Sequence, residues 1–263
     1  MPFREKVVWI TGASSGIGEH LAYAFAAKGA KLILSSRNQT ELERVQQNCP
    51  VGTPVTILPM DVTQYDQLPA LAQQAQQYHG RIDVLVNNAG LTQRALAKDA
   101  PFSMDEHIMA VNYLGTVALT KAVLPFMLEQ QAGQIVVVSS IMGKIGTPLR
   151  SAYAASKHAL HGFFDCLRAE VHDAGIQVCL LVPGYVNTNI SRNALRGQGE
   201  RYQNLSDSTQ QGLHPTDFAR RALRAIAAGK SEALIGGKET LAVYLKRFFP
   251  GLLTRMVRKV KVT

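Results

Sequence analysis

Lys6-Val7-Val8-Trp9-Ile10-Thr11-Gly12-Ala13-Ser14-Ser15-Gly16-Ile17-Gly18 decides the fold. Val7–Ile10 is a short apolar, β-branched run and reads as a buried strand. From Glu19 to Lys28, Leu21, Ala22, Phe25 and Ala26 recur on one face, which predicts a helix that Gly29 closes. Lys31-Leu32-Ile33-Leu34-Ser35-Ser36 then reads as a second strand. The result is a β-turn-α-β unit with glycines at the strand-to-helix turn. Glycine allows the chain to turn tightly and to approach a ligand closely. The amides and dipole at the helix start favour a phosphate. The spacing is Gly-x-x-x-Gly-x-Gly, which differs from the commoner Gly-x-Gly-x-x-Gly.

Outward from this unit, strand-like runs alternate with helical ones. The expected strands are Val7–Ile10, Leu32–Ser35, Val55–Pro59, Val84–Val86, Ile135–Ser139, Gln177–Val182 and Ala233–Ile235. Alternation of this kind predicts an α/β fold, a parallel sheet with helices on both faces. The strands are apolar throughout, as expected when both faces are covered. With 263 residues, no repeat and no long linker, one domain is expected. Gln73–Gln77 reads as the solvated face of a helix. Cys49, Cys166 and Cys179 are odd in number and widely spaced, which points to neither disulfides nor a metal site. Cys166 and Cys179 are expected to be core residues. No signal peptide or apolar run near ~20 residues is read, so a cytoplasmic, reducing compartment is expected.

Tyr153 and Lys157 lie four apart in Ser151-Ala-Tyr-Ala-Ala-Ser-Lys-His158, which puts both on one helix face. A phenol is a poor acid or base at neutral pH. A neighbouring ammonium is expected to lower its pKa and make it a general acid/base.

Taken together these segments resemble the short-chain dehydrogenase/reductase family, in its one-domain branch, over about residues 4 to 237. Thr11 to Gly18 resembles the family's cofactor turn, with Gly12, Ser14, Ser15, Gly16, Ile17 and Gly18 as its binding residues. Asp61-Val62 resembles the pair that holds adenine. Asn88-Ala89-Gly90 lies within the Asn-Asn-Ala-Gly motif after Val84–Val86. Asn112, Ser140, Tyr153 and Lys157 match the catalytic tetrad, and Pro183-Gly184, with Val186 and Thr188 beyond, matches the turn that meets the nicotinamide. The resemblance implies a Rossmann-like doubly wound parallel β-sheet and hydride exchange with a carbonyl or secondary alcohol. It further implies that Tyr153 moves the proton, Lys157 supports it and binds the ribose, Ser140 orients the oxygen, and Asn112 holds a relay water. Ser139 competes with Ser140; the family spacing to the tyrosine selects Ser140.

Family members that prefer NAD carry an acid at the end of the second strand. Here that position is Ser36, followed by Arg37, which can pair with a 2′-phosphate. NADP(H) is therefore expected over NAD(H). Met142, Pro148 and Tyr185 are expected to line an apolar substrate pocket, and Asn189–His214 to form a lid. Two alternatives stand beside this function: a fatty-acid-type 3-oxoacyl thioester reductase and a non-enzymatic NADP(H)-binding sensor. Apolar residues along the Tyr-x-x-x-Lys helix, Ala159, Leu160, Phe163, Phe164 and Leu167, predict a homodimer or homotetramer.

The formal charge is +9. Much of it lies past residue 237, in Lys238, Lys246, Arg247, Arg255, Arg258, Lys259 and Lys261, interleaved with apolar residues at helical spacing between Leu241 and Val260. The sequence divides into a domain at 1–237 and a basic amphipathic extension at 238–263, with a break at Pro250-Gly251. Residues 241–261 read either as a membrane-surface element, as in the hydroxysteroid-dehydrogenase-like branch, or as packing on the core or on a second subunit. On the membrane reading, removing residues 245–263 is expected to leave the chemistry at Tyr153 intact. Nucleic acid is not expected as a partner, because no aromatic platform or binding motif accompanies the charge.

Overall fold

The computed structural model describes residues 2–190, 194–195 and 210–258. Seven strands form one parallel sheet: β1 Val7–Thr11, β2 Lys31–Ser35, β3 Val55–Ile57, β4 Val84–Asn87, β5 Gly133–Val138, β6 Ile176–Pro183 and β7 Glu232–Ile235. Their order is β3-β2-β1-β4-β5-β6-β7. The chain runs outward from β1 to β3, then returns and builds the other half. That reversal is the doubly wound, Rossmann-like topology, and it opens a crevice at the carboxyl ends of β1 and β4. All seven expected strands are present, each shifted by no more than two residues at an end. β1 is buried over its whole length because helices cover both of its faces.

On one face pack α1 Gly16–Ala26, α2 Gln39–Gln47 and α7 Pro215–Ala227, around Leu21, Phe25, Leu42, Phe218 and Ile226. On the other lie α3 Leu68–His79, α4 Phe102–Met109, α5 Gly115–Gln130 and α6 Ser151–Glu170, around Leu68, Leu119, Val123, Leu160 and Phe164. α4 and α5 are one helical run joined by a π-turn, Ala110–Leu114. This run, Phe102–Gln130, is 29 residues long and apolar enough to cross a membrane. The expectation that no such run exists is therefore corrected. Leu119, Val123 and Met127 are buried against the sheet, which accounts for its apolarity.

Three other expectations change. Cys166 is exposed, on the outer side of α6, while Cys49 and Cys179 are buried. Leu160, Phe164 and Leu167 are buried in the chain's own core, so the apolar stripe of α6 is largely satisfied without a second subunit. The extension forms α8 Leu241–Phe248 and α9 Pro250–Val257, with Pro250 at the first position of the second helix. Its inner face joins a small core: Leu253 is buried, and Ala242, Val243, Leu245 and Val257 pack with Ile141, Met142, Tyr153, Ala154 and Val182. Its outer face exposes Leu241, Tyr244, Phe248, Phe249, Leu252 and Met256. The inner face thus meets the reading of the extension as packing on the core. Lys259, Val260 and Lys261, and most of the expected lid, lie outside the described residues.

Candidate active site

A cavity of about 580 Å³ runs along the carboxyl ends of β2, β1, β4 and β5. Of the expected residues it is lined by Gly12, Ser14, Ser15, Gly16, Ile17, Arg37, Asp61, Val62, Asn88, Ala89 and Gly90. Ser140, Tyr153, Lys157, Pro183, Gly184, Val186 and Thr188 complete the lining from that set.

The turn after β1 is built for close approach. Gly12 has φ 62°, a left-handed conformation, and a Cβ there would sit 2.9 Å from Ala89 Cα. Gly18 does not line the cavity. A Cβ on it would collide with the Gly12 carbonyl and the Asn88 amide, so it serves the packing of α1 under the turn. Asn88 fastens that turn: its Nδ2 donates to the carbonyls of Thr11 and Gly12 at 3.0 and 3.1 Å. Thr11 Oγ1 accepts from the Asn88 and Ala89 amides at 3.0 and 3.1 Å. Ser15 offers no side-chain cap, and Gly16 and Ile17 of the first turn of α1 face the cavity. This cradle fits the diphosphate of a dinucleotide.

At the β2 end stand Ser36, Arg37 and Asn38. Arg37 Nη1 lies 3.9 Å from Asp61 Oδ2, and most of the arginine side chain is exposed. Burial works to raise the Asp61 carboxyl, but the Thr63 amide and hydroxyl together with Arg37 hold it below the usual carboxylate range. Arg44, which the sequence did not single out, braces the turn from behind. It pairs with Glu19 at 2.8 Å and donates to the Ser14 carbonyl at 3.2 Å.

At the other end Ser140, Tyr153 and Lys157 converge. The Ser140 hydroxyl interacts with the Tyr153 phenol and works to lower its pKa, and its Oγ accepts from the Met142 amide at 3.1 Å. Ser139 Oγ is held elsewhere, 2.9 Å from His161 Nε2, so the hydroxyl at the phenol is that of Ser140. Lys157 Nζ lies 5.9 Å from the Tyr153 ring centroid and donates to the Val138 carbonyl at 2.8 Å. Burial pulls Lys157 down to about 8. The expected lowering of the tyrosine is not what this arrangement produces. Burial pushes the phenol up, with Ser140 and Arg150 working against it. The lysine lies over the ring, and its Nζ is engaged by the Val138 carbonyl.

Asn112 is fully buried in the π-turn and does not line the cavity. Its Oδ1 accepts from the Leu91 amide at 2.7 Å, and its Nδ2 donates to the Leu91 carbonyl and to Ser156 Oγ, both at 2.9 Å. The side chain thus ties the π-turn to the end of β4 and to α6. A Cβ on Gly90 would press on Asn112 Oδ1 at 3.2 Å and touch Lys157 Nζ at 3.6 Å.

The expected pocket residues are elsewhere. Met142 is buried against the C-terminal helices, and Pro148 and Tyr185 are exposed; none lines the cavity. The cavity is lined in addition by Leu91, Thr92, His107, Val111, Ile190 and Leu195. Two signals were available: Leu91 and Thr92 directly follow the Asn-Asn-Ala-Gly motif, and His107 and Val111 share a helix face by their spacing of four. Glu239 also reaches the site. Its Oε1 accepts from the Tyr185 amide at 3.0 Å, and a Cβ on Gly184 would collide with it.

The crevice, the glycine cradle and the Ser-Tyr-Lys convergence define a nicotinamide-dependent oxidoreductase, and the chain belongs to the short-chain dehydrogenase/reductase family. The short chain dehydrogenase family model matches residues 6–199. Among similar proteins, Dehydrogenase/reductase SDR family member 7B of Danio rerio is 42% identical over 97% of this chain and 85% of its own. Dehydrogenase/reductase SDR family protein 7-like of Anopheles gambiae is 42% identical over 97% and 82%. A short chain dehydrogenase/reductase of Burkholderia phymatum, solved in complex with NAD, is 27% identical with a TM-score of 0.84, over 96% of both chains. Levodione reductase, at 24% identity and a TM-score of 0.83 over 91% and 99%, shares the fold. As a member of the family, this chain acts on CH–OH/C=O groups with a nicotinamide cofactor.

Proposed function

We propose that this protein is an NADP(H)-dependent reductase or dehydrogenase of ketones and secondary alcohols with a bulky apolar body. The observation that carries the chemistry is the convergence of Ser140 and Tyr153 on one cavity wall with Lys157 behind the ring. The bound nicotinamide supplies or accepts the hydride. Ser140 donates to the substrate oxygen and fixes its place, as in an oxyanion site. Tyr153 gives that oxygen a proton or takes one from it. Lys157 holds positive charge behind the phenol. The apolar substrate body is supported by Leu195, which packs with Ala152 of α6, and by Leu91 of the segment that Gln93 ties to Tyr153. A panel of apolar ketones, followed by loss of NADPH absorbance, tests this reading; absence of turnover with every one would reject it.

Arg37 supports the choice of cofactor: it is a cation at the β2 end beside an uncharged Ser36, positioned for a 2′-phosphate. Arg37→Asp, with Ser36 kept, is expected to shift preference from NADPH toward NADH by removing the partner and adding repulsion. An unchanged ratio of kcat/KM for the two cofactors would show that Arg37 does not read the phosphate.

A cytosolic setting, peripheral at a membrane, is part of the same proposal. Its support is the outer face of α8 and α9, where Phe248, Phe249, Leu252 and Met256 stand exposed among Lys246, Arg247, Arg255 and Arg258. Apolar burial and attraction of about 1 kcal/mol per basic residue combine on an anionic surface. Full-length protein is expected to sediment with anionic vesicles at low salt, where screening is weakest; failure to do so removes the membrane reading. A homo-oligomer paired on α5 and α6 is also proposed, supported by exposed Leu114 and Leu128 and half-buried Phe163. Light scattering at micromolar concentration decides it, with a monomer as the contrary result.

A further inference from the structure

Gln93 is 0% exposed, yet it has no part in the proton chemistry above. A buried amide is costly unless its groups are paired. Its Oε1 accepts from the Tyr153 amide at 3.0 Å, and its Nε2 donates to Ser151 Oγ at 3.2 Å. α6 begins at Ser151, so Tyr153 is the third helical residue, the one whose amide a capping side chain usually takes. Arg150 stands at the capping position and makes no side-chain cap. The cap arrives instead from the segment after β4. Arg150 turns to that same segment: its Nη1 donates to Thr92 Oγ1 at 2.5 Å and to the Gln93 carbonyl at 2.8 Å. The turn before it is strained, with Leu149 at φ 67°, and the Ala95 amide holds the Leu149 carbonyl at 3.3 Å. Thr92 itself lines the cavity.

We infer that Gln93 and Arg150 are positioning residues for Tyr153, a clamp that fixes the first turn of the catalytic helix. This inference rests on Tyr153 being the acid/base of the proposed function. The charged groups around that end of the cavity are Arg150 and Lys157 on α6 and its approach and Arg94 in the clamp segment, while His107 on α4 acts on Asp61. Among the described lining residues the one carboxylate is Asp61, beside Arg37. Burial drives the phenol up and Arg150 works against it.

The test uses full-length protein carrying tyrosine labelled at the ζ-carbon, with Tyr153→Phe to assign the resonance. Arg150→Met is expected to move the Tyr153 titration midpoint upward and to lower kcat about tenfold, with NADPH affinity unchanged. Arg150→Lys, which keeps the charge, is expected to return the midpoint toward the native value. Gln93→Leu is expected to lower kcat without changing cofactor affinity. Should that variant fail to fold, Gln93→Glu keeps the acceptor and adds charge, and it is expected to raise the midpoint. An unmoved midpoint in both Arg150→Met and Gln93→Glu overturns the inference. So does a fall in Tm with kcat and midpoint unchanged, which marks a structural role only. Full activity in Tyr153→Phe would instead remove the tyrosine's role, which separates failure of the proposed function from failure of the clamp.

Discussion

Tyr153→Phe is expected to lower kcat by about a hundredfold or more while NADPH still binds. The ring keeps its packing against Met142 and the C-terminal helices, and only the hydroxyl that Ser140 touches is lost. Retention of more than about a tenth of native kcat would contradict the assignment. The native enzyme carries a related signature. Lys157 is pulled to about 8 by burial, so its ammonium is lost as pH rises through that value. Carbonyl reduction is expected to decline above it. Stability moves the other way. The unfolded lysine keeps its proton up to about 10.5, so between about 8 and 10.5 the unfolded chain binds more protons and stability rises with pH.

Leu253→Ala is expected to destabilise the protein by about 2 kcal/mol, at the low end for a core leucine because the site lies at the edge of the fold. Activity is expected to fall with it, since Leu253 belongs to the cluster that holds Met142, Tyr153 and Ala154. Removal of residues 245–263 extends the same change and is expected to lower both Tm and kcat. This is the outcome expected from the sequence on the packing reading, and it differs from the separable extension expected on the membrane reading. A truncated chain with native Tm and native kcat would restore that expectation.

The sheet was legible because each strand is an apolar run bounded by turn residues, and burial on both faces demands such runs. The cofactor cradle was legible for a related reason: left-handed backbone at Gly12 and Gly16, and close backbone approaches at Gly12 and Gly18, call for glycine at all three. The substrate end was not. Met142 is apolar and lies between Ser140 and Tyr153, but so are many core residues, and apolarity alone does not say which cavity a side chain faces. Leu195 and Ile190 come from a segment with little pattern of its own, and their place depends on contacts such as the Leu195 amide on the Thr92 carbonyl at 2.9 Å. Gln93 and Glu239 act on backbone amides far away in sequence, and spacing carries no record of such partners. The charge effect on Tyr153 was misjudged because a sequence shows that Lys157 is near, not that the ammonium points at a carbonyl.

The π-turn at Ala110–Leu114 sets a limit on how this protein can be improved. It inserts an extra residue into an otherwise regular helical run. Deleting one residue there would restore uniform α-helical bonding, a change that raises helix stability in isolation. It would also rotate everything after it by about 100°. Thr120, which accepts from Asn87 Nδ2 at 3.0 Å, would leave the end of β4, and Asn112 would release Leu91. Leu119, Val123 and Met127 would turn off the sheet as well, so a more regular helix here would belong to a protein both less stable and without its crevice.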